Sequence, residues 1–258
     1  MRPGILEKFR LAVIIGIAML LYACLAPPAA TPPPTLHPLQ VALTPSLTPV
    51  RAALHACAGA YPEIALILVE TPATSPDSAV AELALWFGPP PETSYYAAPL
   101  AREDILVIVN PDNPMSAIST RSLSAIFSAH IDAWQDVGGE ELGIEVWILP
   151  EGDEFTQVFQ EKILENGSFS TLAHLAPDAA AMVEAIRDDP AAIGFLPGAW
   201  LSEGVKPLRL DNRTRMAMQQ PVLALFEGEP DGLAREFVNC LQSGEGHSVL
   251  LERYGAWE

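Results

Sequence analysis

The chain is predicted to be an α/β protein, and three observations carry that prediction. Nearly continuous apolar runs at 64–69 (IALILV), 105–110 (ILVIVN) and 144–149 (IEVWIL) have the character of strands buried in a parallel sheet. Stretches of helical period alternate with them, as in the apolar residues Phe155, Val158, Phe159 and Ile163. The 25 prolines interrupt the chain too often for a bundle of long helices. Half of the 258 residues are apolar, enough for one large domain or two small lobes and against global disorder.

The first segment reads as an address. Arg2, Lys8 and Arg10 precede an uncharged, mostly apolar run at 11–22 (LAVIIGIAMLLY). Twelve helical residues rise about 18 Å, short of a hydrocarbon core of about 30 Å. Residues 1–23 are therefore expected to be a bacterial signal peptide. Leu21-Tyr22-Ala23-Cys24 resembles a lipobox, which implies diacylglycerol on Cys24 and palmitate-type acylation after cleavage. An anchor helix that is never cut is the alternative. Residues 24–37 carry five prolines and neither acid nor lysine nor arginine, and are expected to form an extended tether.

The folded part, 38–258, follows in order. A short apolar run at 39–43 is the first expected strand. Thr48 can cap and Pro49 can open a helix whose body spans 50–60 and stops before Pro62. With the strand at 64–69 this makes one βαβ unit. A Pro/Ser-rich turn at 71–78, a short helical stretch and a strand at 83–87 come next. Segments 95–100 and 105–110 are extended, then a helix spans 120–127 with Ser119 as cap. After the strand at 144–149, helices at 155–165 and 179–188 end at Asn166-Gly167 and before Pro190. Strands at 192–196, 207–210 and 221–226 and helices at 232–241 and 246–254 complete the chain.

Charge limits the function. Lys plus Arg number 14 against 32 Asp plus Glu, a net −18, which disfavours nucleic acid as a partner. Five scattered histidines show no paired metal-ligand spacing, and no GxSxG elbow or Walker loop is present. No enzyme activity, cofactor or metal is expected.

Three blocks resemble the periplasmic binding protein superfamily of type II, nearest its phosphate-binding-protein-like members. The first is Asn110-Pro111-Asp112-Asn113-Pro114, then Ile126-Phe127, then Trp134 and Val137-Gly138-Gly139. The second is Ala192-Ile193-Gly194-Phe195. The third is Phe237 with Leu241-Gln242-Ser243-Gly244-Glu245-Gly246. The resemblance covers about 39–258. It implies a two-lobed fold with a two-strand hinge, lobe 1 from about 38–109 and 200–258 and lobe 2 from about 110–199. It also implies a small-molecule or ion ligand held in the cleft, phosphate or a related oxyanion by family default, and handed to an ABC transporter permease. The chain is expected to be a monomer, held to the membrane by its lipid.

The resemblance also nominates site residues. Its first phosphate loop falls on Thr44, Ser46, Leu47 and Thr48, where the hydroxyls survive but the glycine is gone, and Pro45 and Pro49 remove two amide donors. Ordinary turn and cap roles are the alternative for these residues. Its second element, a Ser-Gly-Thr turn, falls on Asp153, Glu154 and Phe155. Both hydroxyls and the glycine are replaced, and two carboxylates stand where an anion is held. A plain helix-start role is open for them too. Glu82 falls on the family's acidic position, and Trp86, Arg102 and Arg121 are weaker candidates. The implied topology brings both chain ends into one lobe, so Cys57 and Cys240 are a candidate disulfide, or two separate core cysteines. The resulting expectation is a lipid-anchored solute-binding protein of an ABC importer. The rival is an envelope lipoprotein with the same fold that senses or scaffolds without transport.

Overall fold

The computed structural model describes residues 35–71, 81–90 and 95–257. The expected signal peptide, Cys24, most of the tether and the turn and helical stretch before 81 lie outside these residues. Residues 36–258 form one compact unit.

The sheet begins with β1, His37–Leu43, whose inward residues Leu39, Val41 and Leu43 are buried. β1 pairs in parallel with β2, Ile64–Glu70, and with β3, Leu83–Phe87. The chain passes from β1 to β2 through a 3-10 turn, Pro45–Val50, and helix α1, Arg51–Ala60. The helix expected from Val50 thus has its opening turn wound tighter, with Pro49 inside it. The apolar run of β2 was expected to be covered on both faces. It is an edge strand instead, half-buried for most of its length, with Ile67 exposed.

The two extended segments expected at 95–100 and 105–110 are one strand, β4, Tyr96–Val109. The polar run Arg102-Glu103-Asp104 reads as a break in sequence, but Glu103 is buried and the pairing continues through it. The register shifts between Pro99 and Ala101, where a proline without an amide proton is tolerated. β4 spans two sheet regions. Its first part, to Asp104, pairs antiparallel with β9, Gln219–Phe226. From Ile105 on it pairs with β7, Ala192–Pro197.

The second region adds α2, Thr120–Phe127; β5, Glu145–Ile148; α3, Glu154–Ile163; β6, His174–Leu175; and α4, Ala179–Asp188. The strand order is β2-β1-β3-β9-β4-β7-β5-β6, and β8, Lys206–Pro207, pairs with the end of β4. Residues 206–217 were expected with the first lobe. Lys206 and Pro207 lie beside Val109 and Ile108, and Arg209 bridges to Ala117, so this stretch joins the second region. Helix α5, Asn212–Ala217, went unread in the sequence because only Thr214 on it is buried. The chain re-enters the first region at β9 and closes with α6, Gly232–Ser243, and α7, Glu245–Leu250.

The core of the second region is aromatic. Phe127, Phe159 and Phe195 are fully buried, with Phe159 and Phe195 stacked at 4.2 Å. Trp134 is also buried and donates its indole N–H to the Ala191 carbonyl at 3.0 Å. Gly194 explains the Ala-Ile-Gly-Phe block: a Cβ there falls 2.4 Å from Met182 Sδ, so α4 packs on β7 only over a glycine. Gly138, at φ +91°, ends the turn after Trp134 in a conformation that favours glycine. In the first region a disulfide joins Cys57 of α1 to Cys240 of α6.

Candidate functional site

The site is built where the loop after β1 meets the start of α3. β1 ends at Leu43, and the Thr44-Pro45-Ser46-Leu47 turn follows at the carboxyl end of the strand, where ligands of open α/β sheets bind. Thr44, Ser46 and Leu47 are buried. Opposite them Asp153 caps α3, its Oδ1 accepting from the Phe155 and Thr156 amides at 2.9 and 3.3 Å.

Two hydrogen bonds tie the two elements together. Ser46 Oγ donates to Asp153 Oδ2 at 2.5 Å, and Thr44 Oγ1 donates to Glu154 Oε1 at 2.5 Å. Both are in the range of charge-assisted bonds. The hydroxyls that a bound oxyanion needs are therefore bonded to carboxylates of the same chain. Phe155 is buried and stacks on Phe87 at the end of β3, with ring centroids 3.9 Å apart. That stack gives the contact an apolar floor. Trp200, in the turn after β7, donates its indole N–H to the Ser46 carbonyl at 2.8 Å.

The electrostatics follow from the geometry. Burial first and the neighbouring Asp153 charge second raise the Glu154 carboxyl to about 7, against the opposing Thr44 hydrogen bond. Burial also raises Asp153, against the bonds from Ser46 and from the Phe155 and Thr156 amides. Glu154 Oε2 and Thr156 Oγ1 are buried without hydrogen-bond partners.

Other nominated residues stand elsewhere. Thr48 does not face the contact with α3; its hydroxyl bonds back to the Pro45 carbonyl as a turn brace. Glu82 is exposed beside His37, Pro38 and Leu39, at the amino end of β1, whereas Thr44 follows the carboxyl end. The assignment of Glu82 to the site is thus corrected: parallel pairing of β1 and β3 puts the residue before β3 at the wrong end of the sheet. Trp86 donates to the Pro89 carbonyl at 2.8 Å. Arg102 packs on Gly255, and Arg121 is exposed on α2. Trp200 was missed, because a lone tryptophan in a Gly-Ala-Trp turn carries no periodic signal.

A second polar cluster lies where β4 passes from one sheet region to the other. Buried Glu103 accepts from the Asp104 amide at 2.9 Å and the Ala199 amide at 3.3 Å. Burial raises its carboxyl to about 8. Tyr254 is buried nearby with its hydroxyl unpartnered, and the phenol is raised by burial and then by Glu103. Among the described residues no group of three or more His, Cys, Asp or Glu could hold a metal ion, and no helix is long and apolar enough to cross a membrane.

Comparison with known proteins agrees with this architecture. Residues 52–227 match the model of the PBP superfamily domain. The chain belongs to the PBP superfamily. It is 28% identical over 161 residues to the phosphate-binding protein PstS of Bacillus subtilis (strain 168). That match covers 57% of this chain and 52% of the relative, so the chain spans about half the length of the curated relative it matches. A putative phosphate ABC transporter substrate-binding protein from Clostridium perfringens, solved with bound phosphate, superposes with a TM-score of 0.76 at 16% identity. The superposition covers 86% of this chain and all of that one. An ABC-type phosphate transport receptor from Vibrio cholerae superposes with a TM-score of 0.67 at 17% identity, over 84% of this chain and all of that one. At these identities the two structures establish the α/β type II fold.

Proposed function

We propose that the chain is an extracytoplasmic solute-binding protein, lipid-anchored through Cys24, that delivers a small solute to an ABC importer. Membership of the PBP superfamily and the named phosphate-binding relatives support the binding role. The two-lobed reading, with the boundary where β4 passes between sheet regions, belongs to the same proposal. Binding rather than catalysis fits the named relatives and a site made of two hydroxyls, two carboxylates and an aromatic floor.

One observation supports a reading of the kind of solute. Asp153 and Glu154 occupy the hydroxyl donors of Thr44 and Ser46. A phosphate dianion placed there meets two acids and two donors already bonded, and like charges at that distance are costly. The proposed solute is therefore neutral or cationic at neutral pH. The same observation supports a second reading, in which the carboxylates close the site permanently and the protein senses or scaffolds at the envelope.

Thermal shift of the full chain in a nonionic detergent separates these readings. The panel is phosphate, sulfate, molybdate, neutral amino acids, sugars, polyamines and divalent cations. A ligand that binds only the folded state raises the apparent melting temperature. A saturable shift with a neutral or cationic solute and none with phosphate at pH 7.5 is expected. A phosphate shift overturns the assignment of solute class. No shift with any class, repeated by calorimetry, overturns transport in favour of the second reading.

A further inference from the structure

The second sheet region carries an arginine-rich corner that the solute site does not use. Residues 206–215 contain Lys206, Arg209, Arg213 and Arg215, in a chain where acids outnumber Lys and Arg by 32 to 14. Arg121 belongs to the same corner. Its neighbour Thr120 donates to Asp211 Oδ2 at 2.8 Å and also bonds the Thr214 hydroxyl, which fixes the start of α2 against α5. Arg121, Arg209, Arg213 and Arg215 are all exposed, and none of them has a carboxylate partner within ion-pair distance among the described residues.

The one acid within residues 206–215 offsets one of the four positive charges there. Asp211 caps α5, accepting from the Thr214 amide at 3.0 Å and from the Thr214 hydroxyl at 2.8 Å. These bonds and the one from Thr120 hold its carboxyl down to about 2, so it is ionised but already saturated with donors. Arg213 and Arg215 flank buried Thr214 on α5 and are both exposed, leaving the helix in different directions. Beside Arg209 is an open hollow of about 570 Å³, lined also by Ala117, Ile118, Ser119, Leu210, Asp211 and Asn212. Met216, 65% exposed, adds an apolar contact at the edge.

We propose that this corner is a docking surface for an acidic segment of a partner protein. Four of its five bases are arginines, whose planar forks match carboxylates two bonds at a time. The hollow beside Arg209 admits a side chain of such a segment. An anionic bilayer is the less favoured occupant. The chain as a whole carries a net −18, so an extended plane of anionic headgroups is repelled more than a short acidic segment that meets the corner alone.

The test uses the full chain in nonionic detergent and a fluorescein-labelled twelve-residue peptide of alternating Glu and Ser. Anisotropy at 20 mM salt is expected to show saturable binding, weakened at least tenfold at 200 mM. The triple variant Arg209→Glu, Arg213→Glu and Arg215→Glu should abolish it while circular dichroism and melting stay unchanged. Replacing the same three residues by lysine should retain part of the affinity, a difference that net charge alone does not give. If the variant still binds as the parent does, the corner is not the docking surface. If the parent binds vesicles of phosphatidylcholine and phosphatidylglycerol but not the peptide, the partner class is wrong. If the parent binds neither, the docking proposal fails. None of these results depends on the solute site, so this proposal and the one for transport fail separately.

Discussion

The two halves of the site differ in what they hold. The loop after β1 keeps two hydroxyls, Thr44 and Ser46, buried and pointed at its opposite number. The start of α3 offers Asp153 and Glu154, acceptors rather than donors. One half is still suited to an anion, and the other half supplies one from the chain itself. An intramolecular carboxylate is held at high effective concentration, so a free anion competes with it poorly. The hydroxyl loop alone does not identify the solute; the proposed solute class rests on the opposing helix start.

The largest expected effect concerns the first half. The Cys57–Cys240 bridge closes a separation of 183 residues. On the chain-entropy account, removing it costs about 3–5 kcal/mol. The double serine variant should lose that much in urea denaturation, with the loss seen across the whole unit. A cost below 1 kcal/mol shows that α1 and α6 hold together without it.

The next effect is pH dependence. Glu154 and Glu103 have folded-state values raised to about 7 and about 8 from 4.5. Between about pH 4.5 and 8 the folded state binds more protons than the unfolded state, so stability falls as pH rises. Denaturation midpoints should be higher at pH 5.5 than at pH 8.5. The variants E154Q and E103Q should each flatten that slope. A slope left unchanged by both replacements contradicts the burial assigned to these carboxyls.

Smaller effects sharpen the comparison between the halves. Ser46→Ala and Thr44→Ala each remove one donor to a carboxylate largely withdrawn from water, at a cost of about 1–3 kcal/mol. In the background of Asp153→Ser with Glu154→Gly, the same alanine replacements should cost less than half as much. Equal costs in both backgrounds show that hydroxyls and carboxylates are not coupled.

Much of the fold was legible before the structure, for reasons that lie in particular residues. The strand at 192–196 and the helices at 120–127 and 179–188 stand where their periodicity and breakers put them. The Ala192-Ile193-Gly194-Phe195 block reads in sequence only as a family resemblance; the Gly194–Met182 approach gives it a packing reason. The failures were also local. Arg102-Glu103-Asp104 looks like a loop because the buried state of Glu103 depends on the Asp104 and Ala199 amides, the latter 96 residues away. α5 has one buried residue and so no stripe to read. For the site, the hydroxyls and acids were visible, but their direct contact across 107 and 110 residues of sequence was not. Glu82 failed because sequence order does not reveal which end of a strand faces the ligand.

The account rests on Asp153 and Glu154 taking the place of an anion, and phosphate calorimetry tests it most directly. The full chain and its variant with Asp153→Ser and Glu154→Gly are titrated with phosphate at pH 7.5. The expected result is no measurable heat with the parent and saturable binding with the variant, an affinity gain of at least tenfold, or about 1.4 kcal/mol. Phosphate binding by the parent equal to or tighter than that of the variant contradicts the account.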